Sequence, residues 1–174
     1  METFLIADLH FGHANVCNFL NQYGEKLRPF SSVEEMDEEI IERWNKRVGP
    51  EDKVYVLGDL AMSRKHISTV GRCNGTKVLI KGNHDIFKLG DYTPYFKDIR
   101  GSHKLDKFIL THIPIHTESL ARWTSGNIHG HLHSYNVMKD GVEDKRYFCV
   151  SVEQIDYTPI SFEDIRKKYE NSSD

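Results

Sequence analysis

The sequence predicts one layered α/β domain, with sheets in the middle and helices outside. Three observations carry that expectation. Short apolar runs at residues 4–7, 54–57, 78–81 and 108–110, with a weaker one at 127–128, read as buried strands that stop at polar side chains. Helical segments separate the first three runs, whereas the second half of the chain is richer in strands. A length of 174 residues supports one well-buried core and not two, so a single domain over 1–174 is expected.

Taken in order, the strand at 4–7 runs into Asp8-Leu9-His10. A short helix follows Gly12 and carries Val16, Phe19 and Leu20. The strongest helix covers 33–47. Ser31 or Ser32 caps it, with Glu34 or Glu35 three residues on, and Val33, Met36, Ile40, Ile41, Trp44 and Val48 recur on one face. Glu38, Glu39, Glu42, Arg43 and Lys46 fill the remainder and read as a solvated face. The strand at 54–57 ends in Gly58-Asp59, a helix covers 64–72, and the strand at 78–81 ends in Gly82-Asn83-His84-Asp85. The run at 108–110 leads to Thr111-His112, and 127–128 leads to Gly130-His131-Leu132-His133. A further strand at 147–152 precedes a C-terminal helix bearing Phe162, Ile165 and Tyr169, with Ser161 and Asp164 at its start.

Polar residues placed after strands collect at one edge of a sheet, where open α/β folds bind ligands. Asp8 and His10 sit two apart, so on an extended backbone both reach one ion, and His131 and His133 repeat that spacing. Asp59 offers two oxygens, enough to bridge two cations. Shared out, Asp8, His10, Asp59 and His133 hold one ion, and Asp59, Asn83, His112 and His131 the other. Such mixed oxygen and imidazole sets suit borderline divalent metals: manganese first, with iron, zinc, nickel or cobalt as alternatives. Paired cations clamp the attacking and leaving oxygens of an in-line displacement and acidify a bridging water. His84 is left over as a general acid for the departing oxygen. Asp85 either orients the His84 ring or caps a helix start. Gly58, Gly82 and Gly130 each precede a ligand, where the backbone must turn tightly or approach closely.

These residues resemble the calcineurin-like metallophosphoesterase superfamily, whose pattern runs D-x-H, G-D, G-N-H-D/E, H and G-H-x-H, matched here between positions 8 and 133. The resemblance implies a four-layer sandwich, two facing mixed β-sheets flanked by helices. It also implies a dinuclear metal centre on the ligands named above, metal-activated water attacking a phosphate ester, and His84 as the catalytic histidine. Protein Ser/Thr phosphatases of the superfamily carry Asp-Arg-Gly shortly after the second motif; here Leu60-Ala61-Met62-Ser63-Arg64 follows Asp59. The interval between Asp85 and His112 is too short for the capping domain of the superfamily's DNA-end nucleases. What remains is similar to small stand-alone bacterial or phage phosphoesterases.

His13 and Asn15 either line the substrate pocket or cap the short helix, and Arg64 with Lys65 either meets phosphate oxygens or is solvated. His129 is either a partner behind a ligand or a loop histidine, and His116 could reach the metals or the substrate. The expected activity is metal-dependent hydrolysis of a phosphodiester, or second of a phosphomonoester, in a nucleotide, cyclic nucleotide or nucleic-acid end. The competing reading is a scaffold module that keeps the fold without the chemistry. A net charge of −3 argues against a broad basic face for duplex DNA. No stretch has the apolar length of a membrane span, and the first strand contributes ligands and so does not read as a removable leader. Cys17, Cys73 and Cys149 are widely spaced and odd in number, consistent with buried thiols in a reducing cytoplasm, away from the histidine clusters.

Overall fold

Packing in this computed structural model, which describes residues 1–123 and 126–171, follows from the alternation of the first strands. The strands are β1 (Thr3–Ile6), β2 (Lys53–Val56), β3 (Thr76–Ile80), β4 (Asp98–Arg100), β5 (His103–Leu105), β6 (Phe108–Leu110), β7 (Gly126–His129), β8 (Met138–Lys139), β9 (Val142–Glu143), β10 (Tyr147–Cys149) and β11 (Ile160–Ser161). The α-helices are α1 (Val33–Arg47), α2 (Leu89–Tyr92), α3 (Thr117–Trp123) and α4 (Phe162–Asn171). A five-stranded sheet has the order β11-β1-β2-β3-β4, and a four-stranded sheet the order β10-β7-β6-β5. Both are mixed: only β11 in the first and β5 in the second run antiparallel to their neighbours.

Because side chains alternate across a strand, β1 to β3 send one set to each face. Phe4, Ile6, Val54, Val56 and Leu79 pack with Met36, Ile40, Ile41 and Trp44 of α1. Leu5, Tyr55, Leu57, Val78 and Ile80 pack with Phe108, Leu110, Ile128 and Val150 from the other sheet, so the two sheets face each other. Such strands are buried on both faces and read as continuous apolar runs. The Ser32 hydroxyl accepts the Glu35 N–H at 3.1 Å, and the Glu35 carboxylate turns back to the Ser31 N–H at 2.8 Å, which closes the start of α1.

The strand ends are in step. Ile6 pairs with Val56, and Val56 with Leu79, so the loops after β1, β2 and β3 leave side by side. The two sheets meet at the same edge. Ala7 N–H donates to Val150 O at 2.9 Å, and Val152 N–H to Ala7 O at 3.1 Å. The parallel pairing of β1 and β2 continues past the strands, with Asp8 N–H to Gly58 O and His10 N–H to Asp59 O, each at 3.0 Å.

Three expectations change. The segment after Gly12 is a short 3-10 helix, Ala14–Asn18, that buries Val16 and Cys17 but leaves Phe19 and Leu20 47% and 63% exposed, because the chain turns into a hairpin-like loop at Leu20. The 64–72 helix forms as 3-10 geometry over Arg64–Arg72. The 147–152 run stops as a strand at Cys149, since Ser151 bends into a 3-10 turn at Val152–Gln154. Cys17 and Cys73 are buried free thiols, but Cys149 is not remote: its Sγ lies 3.2 Å from the Ser151 hydroxyl, beside Asp8. Among the described residues, no helix is long and apolar enough to cross a membrane.

Urea unfolding should separate the two apolar surfaces. Trp44→Ala removes a fully buried side chain and should cost about 3–5 kcal/mol, whereas Leu20→Ala should stay within about 0.5 kcal/mol.

Candidate metal centre

Five of the seven side chains singled out as ligands stand on backbone that a non-glycine residue rarely adopts. Asp8, His10, Asp59, His131 and His133 have φ values of 58°, 50°, 53°, 70° and 53°. Each left-handed residue costs roughly 1–2 kcal/mol, and such strain gathers at functional sites. It also corrects the expectation of extended spacing. Asp8 and His10 reach the same place because both are turned left-handed, not because an extended strand points them to one side.

The side chains form two groups, Asp8 with His10 and His133, and Asp59 with His112 and His131. Within each group the ligand atoms lie within 4.8 Å of one another. Asp59 stands between the groups. Its Oδ2 is 3.7 Å from His10 Nε2, and its Oδ1 is 3.4 Å from His112 Nε2. Asn83 joins the second group, with Oδ1 2.8 Å from His112 Nε2. His84 lies over the junction with Nε2 3.9 Å from Asp59 Oδ2, and its side chain is 45% exposed.

The chemistry of the donors fits cations in both groups. Asp8 Oδ2 accepts the Ser151 hydroxyl at 2.6 Å and the His131 N–H at 2.8 Å. Asp8 Oδ1 and His10 Nε2, 3.9 Å apart, are buried without a hydrogen-bond partner. Burial pushes the Asp8 carboxyl up to about 6, a carboxylate short of positive charge. Burial and then the Arg28 charge push His10 down to about 2, which leaves its ring neutral and able to ligate. In the second group His112 Nδ1–H donates to Leu57 O at 2.7 Å, and Nε2 faces the oxygens of Asn83 and Asp59. Against the effect of burial, the Asp59 carboxylate raises the ring above the usual imidazole range, so this position attracts positive charge. A buried carboxylate, a buried imidazole and an amide oxygen converging at one place suit a cation. Neither group contains a thiolate; burial raises Cys149 to about 11.

The glycines before the ligands answer to close approach. A Cβ on Gly58, which has φ +86°, would sit 2.5 Å from His112 Nδ1 and 2.6 Å from Gly82 Cα. One on Gly82 would sit 2.3 Å from Asp59 Oδ1.

The other expected residues separate. Asp85 neither touches the His84 ring nor caps a helix. It is buried, and its oxygens accept the N–H groups of Asp59, Leu60 and Gly82 at 2.8, 3.0 and 2.8 Å, which ties the loops after β2 and β3 together. His13 is at the mouth, its ring centroid 5.7 Å from that of His10, with Nδ1 buried and unpartnered. Asn15 is exposed on the 3-10 helix. Arg64 points to Asp91, with N···O distances of 2.6 and 2.7 Å, and so is occupied by a carboxylate. His129 is buried and donates to Gly130 O at 2.7 Å. His116 accepts the Glu118 N–H at the start of α3 instead of reaching the metal ligands.

Sequence reasoning missed the residues behind the ligands. Arg28 is completely buried. It donates to Leu9 O at 2.9 Å, to Asp8 O, and through Nε to Glu153 Oε1 at 2.8 Å. The same Glu153 oxygen meets His133 Nδ1 at 2.9 Å, which directs His133 Nε2 away from it and towards the first group. Asp37 of α1 accepts the Gly12 N–H and holds the loop after His10. Glu153 follows the run at 147–152, so the rule of polar residues after strands could have found it, whereas Ser151 lies inside that run. Arg28 gives no such signal. Glu153→Gln should weaken manganese binding about 10–100-fold, measured by titration calorimetry; an unchanged constant would show that Glu153 serves Arg28 alone.

No protein-family model matches the chain. The uncharacterized protein MJ1445 of Methanocaldococcus jannaschii is 37% identical over 97% of this chain and 92% of its own length. The gene 66 protein of Mycobacterium phage L5 is 33% identical over 48% of this chain and 40% of its own. Among solved structures, the protein of unknown function AQ665 from Aquifex aeolicus has a TM-score of 0.70 and 25% identity, with 95% of this chain and 98% of that one covered. The two share a fold. The phosphopantetheinyl hydrolase PptH from Mycobacterium tuberculosis aligns over 87% of this chain and 89% of that one, with a TM-score of 0.44 and 13% identity. That likeness is too distant to bear on this chain's chemistry. At its identity and coverage with MJ1445, this chain belongs to the MJ1445 family.

Proposed function

We propose that the protein is a dinuclear-metal-dependent phosphoesterase of the calcineurin-like type, acting on phosphodiesters in preference to monoesters. The observation that carries this reading is Asp59, whose two oxygens face buried histidines of the two groups, Oδ2 towards His10 and Oδ1 towards His112. Asp8, His10, Asp59 and His133 would hold one ion, and Asp59, Asn83, His112 and His131 the other. A bound pair of divalent ions would supply Lewis-acid neutralisation of phosphate oxygens and acidification of water. The sheets that face each other and α1 on the outer side of the larger one suit a four-layer sandwich.

The chain's own residues do the rest. His84 stands at the open side, and from Nε2 it gives a proton to the leaving oxygen. The His84 N–H donates to Asp59 Oδ1 at 2.9 Å, so the loop that carries the acid is fastened to the shared ligand. His13 lines the mouth beside His10, their ring centroids 5.7 Å apart. Asn83 and His84 are exposed, so the mouth admits a phosphate with two ester groups. The substrate class is a nucleotide, cyclic nucleotide or nucleic-acid end, with a negatively charged protein leaving phosphate recognition to the metals.

Protein stripped with chelator should be inactive and should regain turnover of bis-p-nitrophenyl phosphate with manganese, with less turnover of p-nitrophenyl phosphate. His84→Ala should lower kcat about 10²–10⁴-fold, and Asp59→Asn should remove both activity and the second equivalent of bound metal. Metal binding without turnover would support the scaffold reading, and absence of metal binding would sink the dinuclear centre.

A further inference from the structure

The loop that departs from its expected helix has a use. After Asn18 the chain makes a tight hairpin. Leu27 N–H donates to Phe19 O at 2.7 Å, and Asn21 N–H to Glu25 O at 2.8 Å. The Asn21 side-chain oxygen accepts the N–H groups of Tyr23 and Glu25 at 2.9 and 3.1 Å. This is a built turn, yet Phe19, Leu20 and Tyr23 on it face solvent. Exposed aromatic side chains on a fixed backbone present area at little entropic cost.

The hairpin is fastened to the metal centre at two points. The Phe19 ring makes a T-shaped contact with His13, with centroids 5.8 Å apart, and His13 in turn lies 5.7 Å from His10. Across the mouth, the Ser134 hydroxyl donates to Gln22 Oε1 at 3.0 Å, next to His133. Two successive ring contacts therefore lead from a metal ligand to an open aromatic face. That span matches a nucleotide, whose base lies one sugar away from its phosphate. A flat π-face with only Lys26 and Glu25 as charged neighbours on the turn suits a base better than a second phosphate.

We propose that Phe19 is a stacking platform for the nucleobase of a nucleotide whose phosphate sits at the metal centre. The inference rests on the phosphoesterase reading and narrows its substrate to nucleotide esters read through one base. Stacking tolerates every base, so the platform confers preference for nucleosides over plain alkyl esters, not for one sequence.

Titration calorimetry of the manganese-loaded protein with adenosine 5′-monophosphate and ribose 5-phosphate tests it. The nucleotide should bind about 5- to 150-fold more tightly than the sugar phosphate, the range of a single base stack. Phe19→Ala should abolish that difference while leaving ribose 5-phosphate affinity unchanged, and Phe19→Trp should retain it. Equal affinities in the unaltered protein would overturn the platform and leave the phosphoesterase reading standing. An equal loss for both ligands in Phe19→Ala would also overturn it, and would make Phe19 a support for His13. Failure of the unaltered protein to bind either ligand would overturn the platform, and turnover of bis-p-nitrophenyl phosphate would then decide the phosphoesterase reading by itself.

Discussion

Seven side chains with possible ligand atoms converge at the edge where two sheets meet, four of them almost completely shielded from water, and the carboxylates among them draw positive charge to that place. Much of the surrounding structure exists to keep them there. Five of the seven pay for their position with left-handed backbone, and the compensation is local. The parallel pairing of β1 and β2 runs on through Asp8, His10 and Phe11, so the turned residues keep their backbone hydrogen bonds. Each such bond contributes about 1 kcal/mol net, comparable to the left-handed penalty it offsets.

Asp85 shows how the same logic extends to side chains. Its carboxylate gathers three N–H groups from two loops that would otherwise have no acceptor. This fixes Asp59, which stands between the two groups, relative to Asn83 and His84. Gly58 and Gly82 allow the two loops to approach within a distance that any Cβ would block. Asp59, His84 and Asn83 are thus one mechanical unit, even though the chain separates Asp59 from the other two by a whole crossover.

The buried Arg28–Glu153 pair has a different part. A buried ion pair is weak evidence for stability, because desolvation offsets much of the attraction. What it supplies is direction. Arg28 holds the carbonyls of Asp8 and Leu9 in place, and Glu153, held low to about 2 by the Arg28 charge and the His133 hydrogen bond against the opposing effect of burial, remains an acceptor for His133 Nδ1–H. One cluster joins the first loop, the last ligand and the turn after β10.

What could be read from the chain alone was whatever depends on short spacing. The strand runs, the capped α1 with Met36, Ile40, Ile41 and Trp44 inward, and the ligands themselves are local patterns of residue type and period. The helix expected to carry Phe19 and Leu20 failed because its apolar residues find no core to cover there, and the Asn21 turn wins over a weak periodicity. Arg28 and Asp37 were silent because a charge on an irregular segment or a helix looks the same whether it faces water or the interior. The sequence by itself determined which side chains are candidate ligands and that they follow the first strands. Only the tertiary structure decided which ligands share a group, which charges stand behind them and which aromatic faces remain open, since those follow from distances between segments far apart in the chain.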